Sequence, residues 1–408
     1  MDCRRPRINL NQFMITVSER IKNQERTCSN SPKLLIATRV FGASGQPWLW
    51  RQAVGFTRFQ KELLCWRRLN SSTQPVNDFS VQVLGEDLAP YDGARRWLYR
   101  LRNLPKLNFY ASIGPEQGRI SELLRGHRPE LILCYFGDIA MRLLPIARRE
   151  SIPLVAYFHG DFSFLTNRWY RWSLRTTLPQ FAAIVVVTRA EYRWMLDHGV
   201  PESRLHLIPC GAPTDVFRPC PRKQSGTVRF VMVSRLSQDK GCDLSIKAFA
   251  HVNSQIPDTE LHIYGDGPTR QSLEHLVNML GLTQQVRFHG YIEEQRLVEL
   301  LPCCDVFIQH SLLKEGSPVS IAEAMACGLP VIATPVGGIA DQIAHGHTGF
   351  QVAEGDVCGM ADAMQRLAYD AVLRNQLGLA GRERALKLYD STILARRLEQ
   401  VLLSVASA

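Results

Sequence analysis

Short runs that are apolar at every position recur along this chain, separated by amphipathic stretches, and that alternation limits the fold more than any other feature. The first set is Lys33-Leu34-Leu35-Ile36-Ala37, Leu131-Ile132-Leu133-Cys134-Tyr135, Leu154-Val155-Ala156-Tyr157-Phe158 and Ala183-Ile184-Val185-Val186-Val187. A strand with no polar face must be covered on both sides, and intervening helices such as 116–126 and 138–150 supply the cover. The expected class is α/β with parallel sheets. From Leu207-Ile208-Pro209-Cys210-Gly211 to Arg218-Pro219-Cys220-Pro221 the chain is rich in Pro and Gly and reads as a hinge. The alternation then restarts, with strands at 229–233, 260–264, 286–288, 305–308 and 330–333 and helices at 241–254, 268–280, 293–302, 318–327 and 355–369.

At 408 residues the chain exceeds what one core supports, so two doubly wound, Rossmann-like domains facing a cleft are expected. The boundaries read as a mobile polar arm at 1–31, a first domain at 32–214, a second at 222–380 and a tail at 381–408. That tail belongs to a helix over 379–404 bearing Arg382, Arg384, Arg396 and Arg397, expected to pack back toward the first domain.

Charge is uneven: residues 1–220 carry 31 Lys and Arg against 18 Asp and Glu, and residues 221–408 carry 17 against 20. The positive half suits an acidic partner. Nucleic acid is not expected, because no basic reading helix, zinc finger or aromatic RNA platform is present. No run of about 18 apolar residues exists and the start has no apolar signal-type core, so a cytoplasmic protein is expected, at most peripheral to a membrane. The eleven Cys lack metal-ligand spacing and suit reduced, packed thiols.

Candidate chemistry sits where strands end. Glu315-Gly316-Ser317-Pro318-Val319 leads into a helix carrying Glu323, with Ser317 as cap, Pro318 at the first helical position and Gly328 at the close. The free N–H groups of such a helix start favour phosphate, and two carboxylates beside it suit hydroxyls, which points to a sugar nucleotide. Two Glu eight apart also occur on ordinary solvated helices. After strand 229–233, Arg235 and Lys240 place two cations on one loop, a clamp for a diphosphate or else a solvated pair. Gly265 and Gly267 after strand 260–264, and Gly290-Tyr291-Ile292 after the next, form small turns that a base or ribose could approach. His159 ends strand 154–158 and reads as a base, a donor or a structural residue. No Asp-x-Asp pair occurs to bridge a metal to a diphosphate, so no metal and no cofactor are expected.

In this order "SRLSQDKG", "LHIYGDGP", "VRFHGYIE" and "EGSPVSIAEAMACGLPVIATPVGGIADQIAHGHTGFQV" resemble the blocks of retaining GT-B glycosyltransferases that use nucleotide sugars, the group 1 family with its E-x7-E motif. Their flavour is nearest the bacterial exopolysaccharide and lipopolysaccharide branch. The resemblance implies that Arg235 and Lys240 hold the diphosphate, that Glu315 binds donor-sugar hydroxyls, and that His159 lies beside the anomeric carbon. It further implies a donor site made of Gly265, Gly267, Tyr291, Ile292, Gly316, Ser317, Pro318, Val319 and Glu323, with Glu323 on the ribose. Two departures stand out: "TRVFGASGQPWLWRQ" offers only Gly42 and Gly45 where the family has a Gly-rich loop, and His310-Ser311 stands where Pro-Ser is usual.

The implied partners are a UDP- or GDP-linked donor and a glycan or polyprenyl-diphosphate-linked acceptor. Arg95-Arg96-Trp97-Leu98-Tyr99-Arg100-Leu101-Arg102 and Arg168-Trp169-Tyr170-Arg171-Trp172 with Arg175 could lie on an anionic membrane at the inner face of the plasma membrane, or could simply pack their rings on the core. A non-catalytic nucleotide- or glycan-binding scaffold and a sugar-nucleotide epimerase are the competing functions.

Overall fold

A computed structural model of the chain describes residues 31–43, 46–71, 74, 76, 79–85, 101–160, 166–220 and 226–408. The arm expected at 1–31, apart from its last residue, Gly45 and the basic aromatic segment at 95–100 lie outside them.

The first half runs β1 (Lys33–Phe41), α1 (Pro47–Gly55), β2 (Gln60–Arg68), β3 (Ser80–Val83), α2 (Gly114–His127), β4 (Leu131–Tyr135), α3 (Gly137–Arg149), β5 (Leu154–Tyr157), α4 (Arg168–Thr177), β6 (Ala183–Val186), α5 (Arg189–Asp197) and β7 (Leu205–Leu207). The second runs β8 (Val228–Val233), α6 (Cys242–Gln255), β9 (Thr259–Tyr264), α7 (Arg270–Met279), β10 (Val286–Gly290), α8 (Glu294–Leu300), β11 (Val306–Gln309), α9 (Val319–Ala326), β12 (Val331–Ala333), α10 (Ile339–Gln342), β13 (Gly349–Gln351), α11 (Val357–Tyr369), α12 (Ala371–Leu388) and α13 (Ser391–Ala406).

Both sheets are parallel throughout, ordered β3-β2-β1-β4-β5-β6-β7 and β10-β9-β8-β11-β12-β13. Every residue of β4, β5, β6 and β11 is buried, as strands covered on both faces must be. Each order reverses once, between β1 and β4 and between β8 and β11, and at such a reversal the flanking loops diverge to leave a crevice at the strands' carboxyl ends. The loops after β8 and β11 are those that carry Arg235, Lys240 and Glu315.

The tail differs from the single helix expected over 379–404. The helix stops at Leu388, Tyr389 and Asp390 cross between the halves, and α13 starts anew. At the crossing Ala212 N–H donates to the Tyr389 carbonyl at 2.9 Å, and Ser391 N–H donates to that of Ala212 at 2.9 Å. Asp390 ends one helix and caps the next by accepting from Ile393 N–H at 2.9 Å. α12 stays on the second half, where Arg384 donates to the carbonyls of Gln342 and Asp341 at 2.8 and 2.7 Å. α13 returns to the first half, burying Leu394, Leu398 and Leu402 among Leu34, Ile36, Leu49 and Ala53. Three leucines at that spacing form one stripe, and each contributes on the order of 2 kcal/mol.

Candidate active site

The loop from β11 to α9 is held between the two halves. In the second half, Gly338 N–H donates to the Glu315 carbonyl at 2.9 Å. In the first, Gly160 lies so close to Gly316 that a Cβ on Gly160 would stand 2.2 Å from the Gly316 Cα. Gly160 is itself fixed, donating its N–H at 3.1 Å to Glu191. Glu191 also accepts from Val187 and Thr188 N–H at 3.3 and 3.2 Å, tying the ends of β5 and β6 together. Burial pushes its carboxyl up to about 7.

Glu315 is ion-paired with Lys240 and accepts from Ser311 Oγ at 2.7 Å and Gln309 Nε2 at 3.3 Å. The His310-Ser311 departure therefore has a definite structural meaning. Ser311 supplies a hydroxyl to the carboxylate, while His310 is buried and its Nε2 accepts from Gly355 N–H at 3.0 Å. Arg235 stands apart from this cluster, with its side chain 68% exposed and Asp239 at 3.5 Å.

α9 begins one residue later than expected. Pro318 occupies the cap position, and Ser317 caps nothing; its Oγ instead donates to the Cys210 carbonyl at 3.2 Å, joining this loop to the hinge. Val319 opens the helix and Glu323 lies one turn on, with a buried carboxylate that accepts no hydrogen bond from the described residues. Burial pushes its carboxyl up to about 7, partly opposed by Arg51 and reinforced by Glu294. A buried acid kept in that state is a cost to the fold, a feature that clusters at functional sites.

His159 sits at the carboxyl end of β5 in an aromatic cage. Trp48 stacks on it at 4.1 Å, Tyr157 lies at 4.0 Å and Tyr135 at 5.4 Å. Its Nδ1 is 3.4 Å from Cys210 Sγ, its Nε2 is buried without a partner among the described residues, and burial lowers the imidazole to about 3. The ring is therefore neutral near pH 7, fit to form hydrogen bonds and too weakly basic for efficient proton abstraction. Of the readings open for His159, general base is the one this geometry disfavours.

Gly265 has a reason other than access for a base: with φ at 131°, a Cβ there would strike the Ser234 carbonyl oxygen at 1.8 Å. It lets the turns after β8 and β9 pack on one another, and Gly267 N–H donates to its neighbour Asp266 at 2.8 Å. Tyr291 is exposed just beyond edge strand β10, and Ile292 packs against the core under α8. Sequence reasoning missed Trp48, Arg51, Glu191, Gln309 and Ser311. Only the i, i+3 pair in α1 carries a local signal, since both side chains fall on one helix face.

An open cavity of about 620 Å³ between β7 and α13 has no carboxylate in its lining.

The family pattern described as "Glycosyl transferases group 1" matches residues 215–384, and that described as "Glycosyltransferase Family 4" matches 77–216. A GDP-mannose-dependent alpha-(1-6)-phosphatidylinositol monomannoside mannosyltransferase of Mycolicibacterium smegmatis is 29% identical over 70% of this chain and 79% of its own length. N-acetyl-alpha-D-glucosaminyl L-malate synthase of Bacillus anthracis is 32% identical over 42% of this chain and 44% of its own. Among solved structures, Anabaena HepE in complex with UDP-glucose aligns with a TM-score of 0.72, at 18% identity, over 92% of this chain and 100% of that one. Sucrose-phosphate synthase from Thermosynechococcus elongatus aligns at 0.70 with 20% identity, over 92% and 99%. Both likenesses concern the fold. The matched patterns, the two parallel sheets and these relatives make the chain a group 1 glycosyltransferase with the GT-B fold.

Proposed function

We propose that the chain moves a sugar from a UDP- or GDP-linked donor to a glycan or lipid-linked acceptor, with retention at the anomeric carbon and without a metal, in surface or exopolysaccharide synthesis. The observation that carries this reading is the Lys240–Glu315 pair at the carboxyl ends of β8 and β11, with Glu323 buried on the helix that follows Glu315 and accepting no hydrogen bond from the described residues. Glu323 takes the ribose hydroxyls, Glu315 those of the sugar, and Lys240 with Arg235 faces the diphosphate. As the bond from sugar to phosphate breaks, negative charge grows on the leaving oxygen, and preorganised cations there lower the barrier more than they stabilise the bound donor. A neutral His159 disturbs this charge balance least, and its main chain beside Gly316 walls the sugar. The mycobacterial relative's donor and phosphoinositide acceptor, and the UDP-glucose held by HepE, support the choice of nucleotide sugar.

The test is NMR of the product formed from each nucleotide sugar and lipid-linked acceptors with EDTA present. Sugar on the acceptor with the donor's anomeric configuration is expected; an inverted product, or a changed nucleotide sugar with nothing transferred, contradicts the reading.

The same reading gives α4 an anionic lipid surface. Arg168, Arg171 and Arg175 are exposed on it beside Trp172, which is 49% exposed, and among the described residues no helix is long and apolar enough to cross a membrane. Flotation should follow the anionic lipid fraction and weaken in Arg171→Glu; indifference to lipid charge would remove this part of the proposal.

A further inference from the structure

Helix α1 occupies the stretch where the family's Gly-rich loop is missing, and it turns two side chains toward the cleft. Trp48 covers His159 at 4.1 Å. Arg51, one turn on, crosses to the second half, where its Nη1 is ion-paired with Glu294 at the start of α8. The Arg51 side chain is only 12% exposed. Its Nε and Nη2 are nonetheless buried with no partner among the described residues. These two nitrogens share one edge of the planar guanidinium and point their N–H bonds in parallel, the arrangement that grips two oxygens of one oxyanion.

A buried donor left without an acceptor costs about 1–3 kcal/mol. A strut between the halves would not need that edge, because a lysine could pair with Glu294 as a point charge. The second carboxylate in the neighbourhood, Glu323, is close enough for Arg51 to favour its ionised form. A nucleotide whose ribose rests on Glu323 would bring phosphate into this region.

We propose that Arg51 is a ligand-binding residue supplied by the first half, with Nη1 anchored on Glu294 and the Nε–Nη2 edge receiving two oxygens of a phosphate group of the substrate. The inference rests on the donor-site reading above. The phosphate is the donor's diphosphate or that of a lipid-linked acceptor, and the two are separable. The role gives the first half a grip on the charged part of a ligand whose nucleoside is held by the second.

The experiment titrates UDP, GDP and ADP, with their nucleosides, into wild type, Arg51→Lys, Arg51→Gln and Glu294→Gln, beside steady-state kinetics and melting curves on the same samples. Arg51→Lys keeps the charge and loses the fork. It should bind the preferred nucleoside diphosphate about tenfold or more weakly, with nucleoside affinity unchanged. Unchanged diphosphate affinity with a comparably raised KM for a phosphate-bearing acceptor assigns the edge to the acceptor instead. The inference is overturned if Arg51→Lys matches wild type in every measurement while Arg51→Gln and Glu294→Gln are equally impaired, the signature of a strut. A wild-type protein that binds no nucleoside diphosphate would refute the donor-site reading itself, and this inference with it.

Discussion

Gly160→Ala is expected to lower kcat/KM by about 100-fold or more while the protein stays folded and its affinity for nucleoside diphosphate stays near the wild-type value. The residue has φ +73°, and its missing Cβ would lie 2.2 Å from the Gly316 Cα and 2.5 Å from the Gly316 nitrogen. An alanine there bears about 1–2 kcal/mol of left-handed backbone strain, which a fold of this size tolerates. The steric overlap is the larger matter. Neither partner is the tip of a flexible side chain, so relief requires the β5 end and the β11–α9 loop to separate by roughly 1 Å, taking Glu315 away from His159. Misplacement on that scale costs on the order of 100-fold in a reaction that depends on alignment. The nucleotide contacts proposed for Glu323 and Lys240 lie in the second half, and Arg51 reaches across from α1 rather than from the β5 end, so they are expected to survive a shift of that size. Paired steady-state kinetics and calorimetry decide the matter; activity within about threefold of wild type would show that the contact of the two glycines does not set the site.

The second large effect is expected at Glu323. Its carboxylate is buried and accepts no hydrogen bond from the described residues, and burial holds it up to about 7, so ionising it near neutral pH works against the fold. Replacement by alanine removes that burden, and the ligand-free variant should melt no lower than the loss of a few side-chain contacts requires. On the proposed reading, what the variant loses is the acceptor for the ribose hydroxyls. Hydrogen bonds to a charged group are worth about 1.5–3 kcal/mol, which corresponds to roughly 10- to 150-fold in nucleotide affinity. A residue that lowers stability when unoccupied and raises affinity when occupied is recognisable as part of a binding site.

The sheets were legible because their central strands are apolar at every position, which only a covered parallel sheet accommodates. β2 and β3 escaped notice for the opposite reason: Gln60–Arg68 is apolar only in its middle, and Ser80–Val83 is an edge strand with half-exposed positions. The break at Tyr389-Asp390 was hidden because α12 and α13 are each acceptable helices, and only the crossing between the halves forces them apart. The meeting of Lys240 and Glu315 could be read from their positions after β8 and β11, since a doubly wound sheet gathers those loops at one reversal. Glu191 could not, and the shared helix face of Trp48 and Arg51 did not tell what they meet. Their roles depend on how one half faces the other, and no local pattern encodes the distance from α1 to α8.

The central claim is that the cleft holds a nucleotide sugar through Glu323, and melting curves of wild type and Glu323→Ala with UDP, GDP, ADP and their common sugar conjugates test it most directly. At a ligand concentration 100 times Kd, binding stabilises the folded state by about 2.7 kcal/mol, a rise of roughly 5–10 °C for a unit of this size. The account predicts such a rise for one nucleotide series in wild type and its reduction to about half or less, roughly 1–6 °C, in Glu323→Ala at the same concentration. Equal rises in both proteins, or none in wild type with any nucleotide, would contradict it.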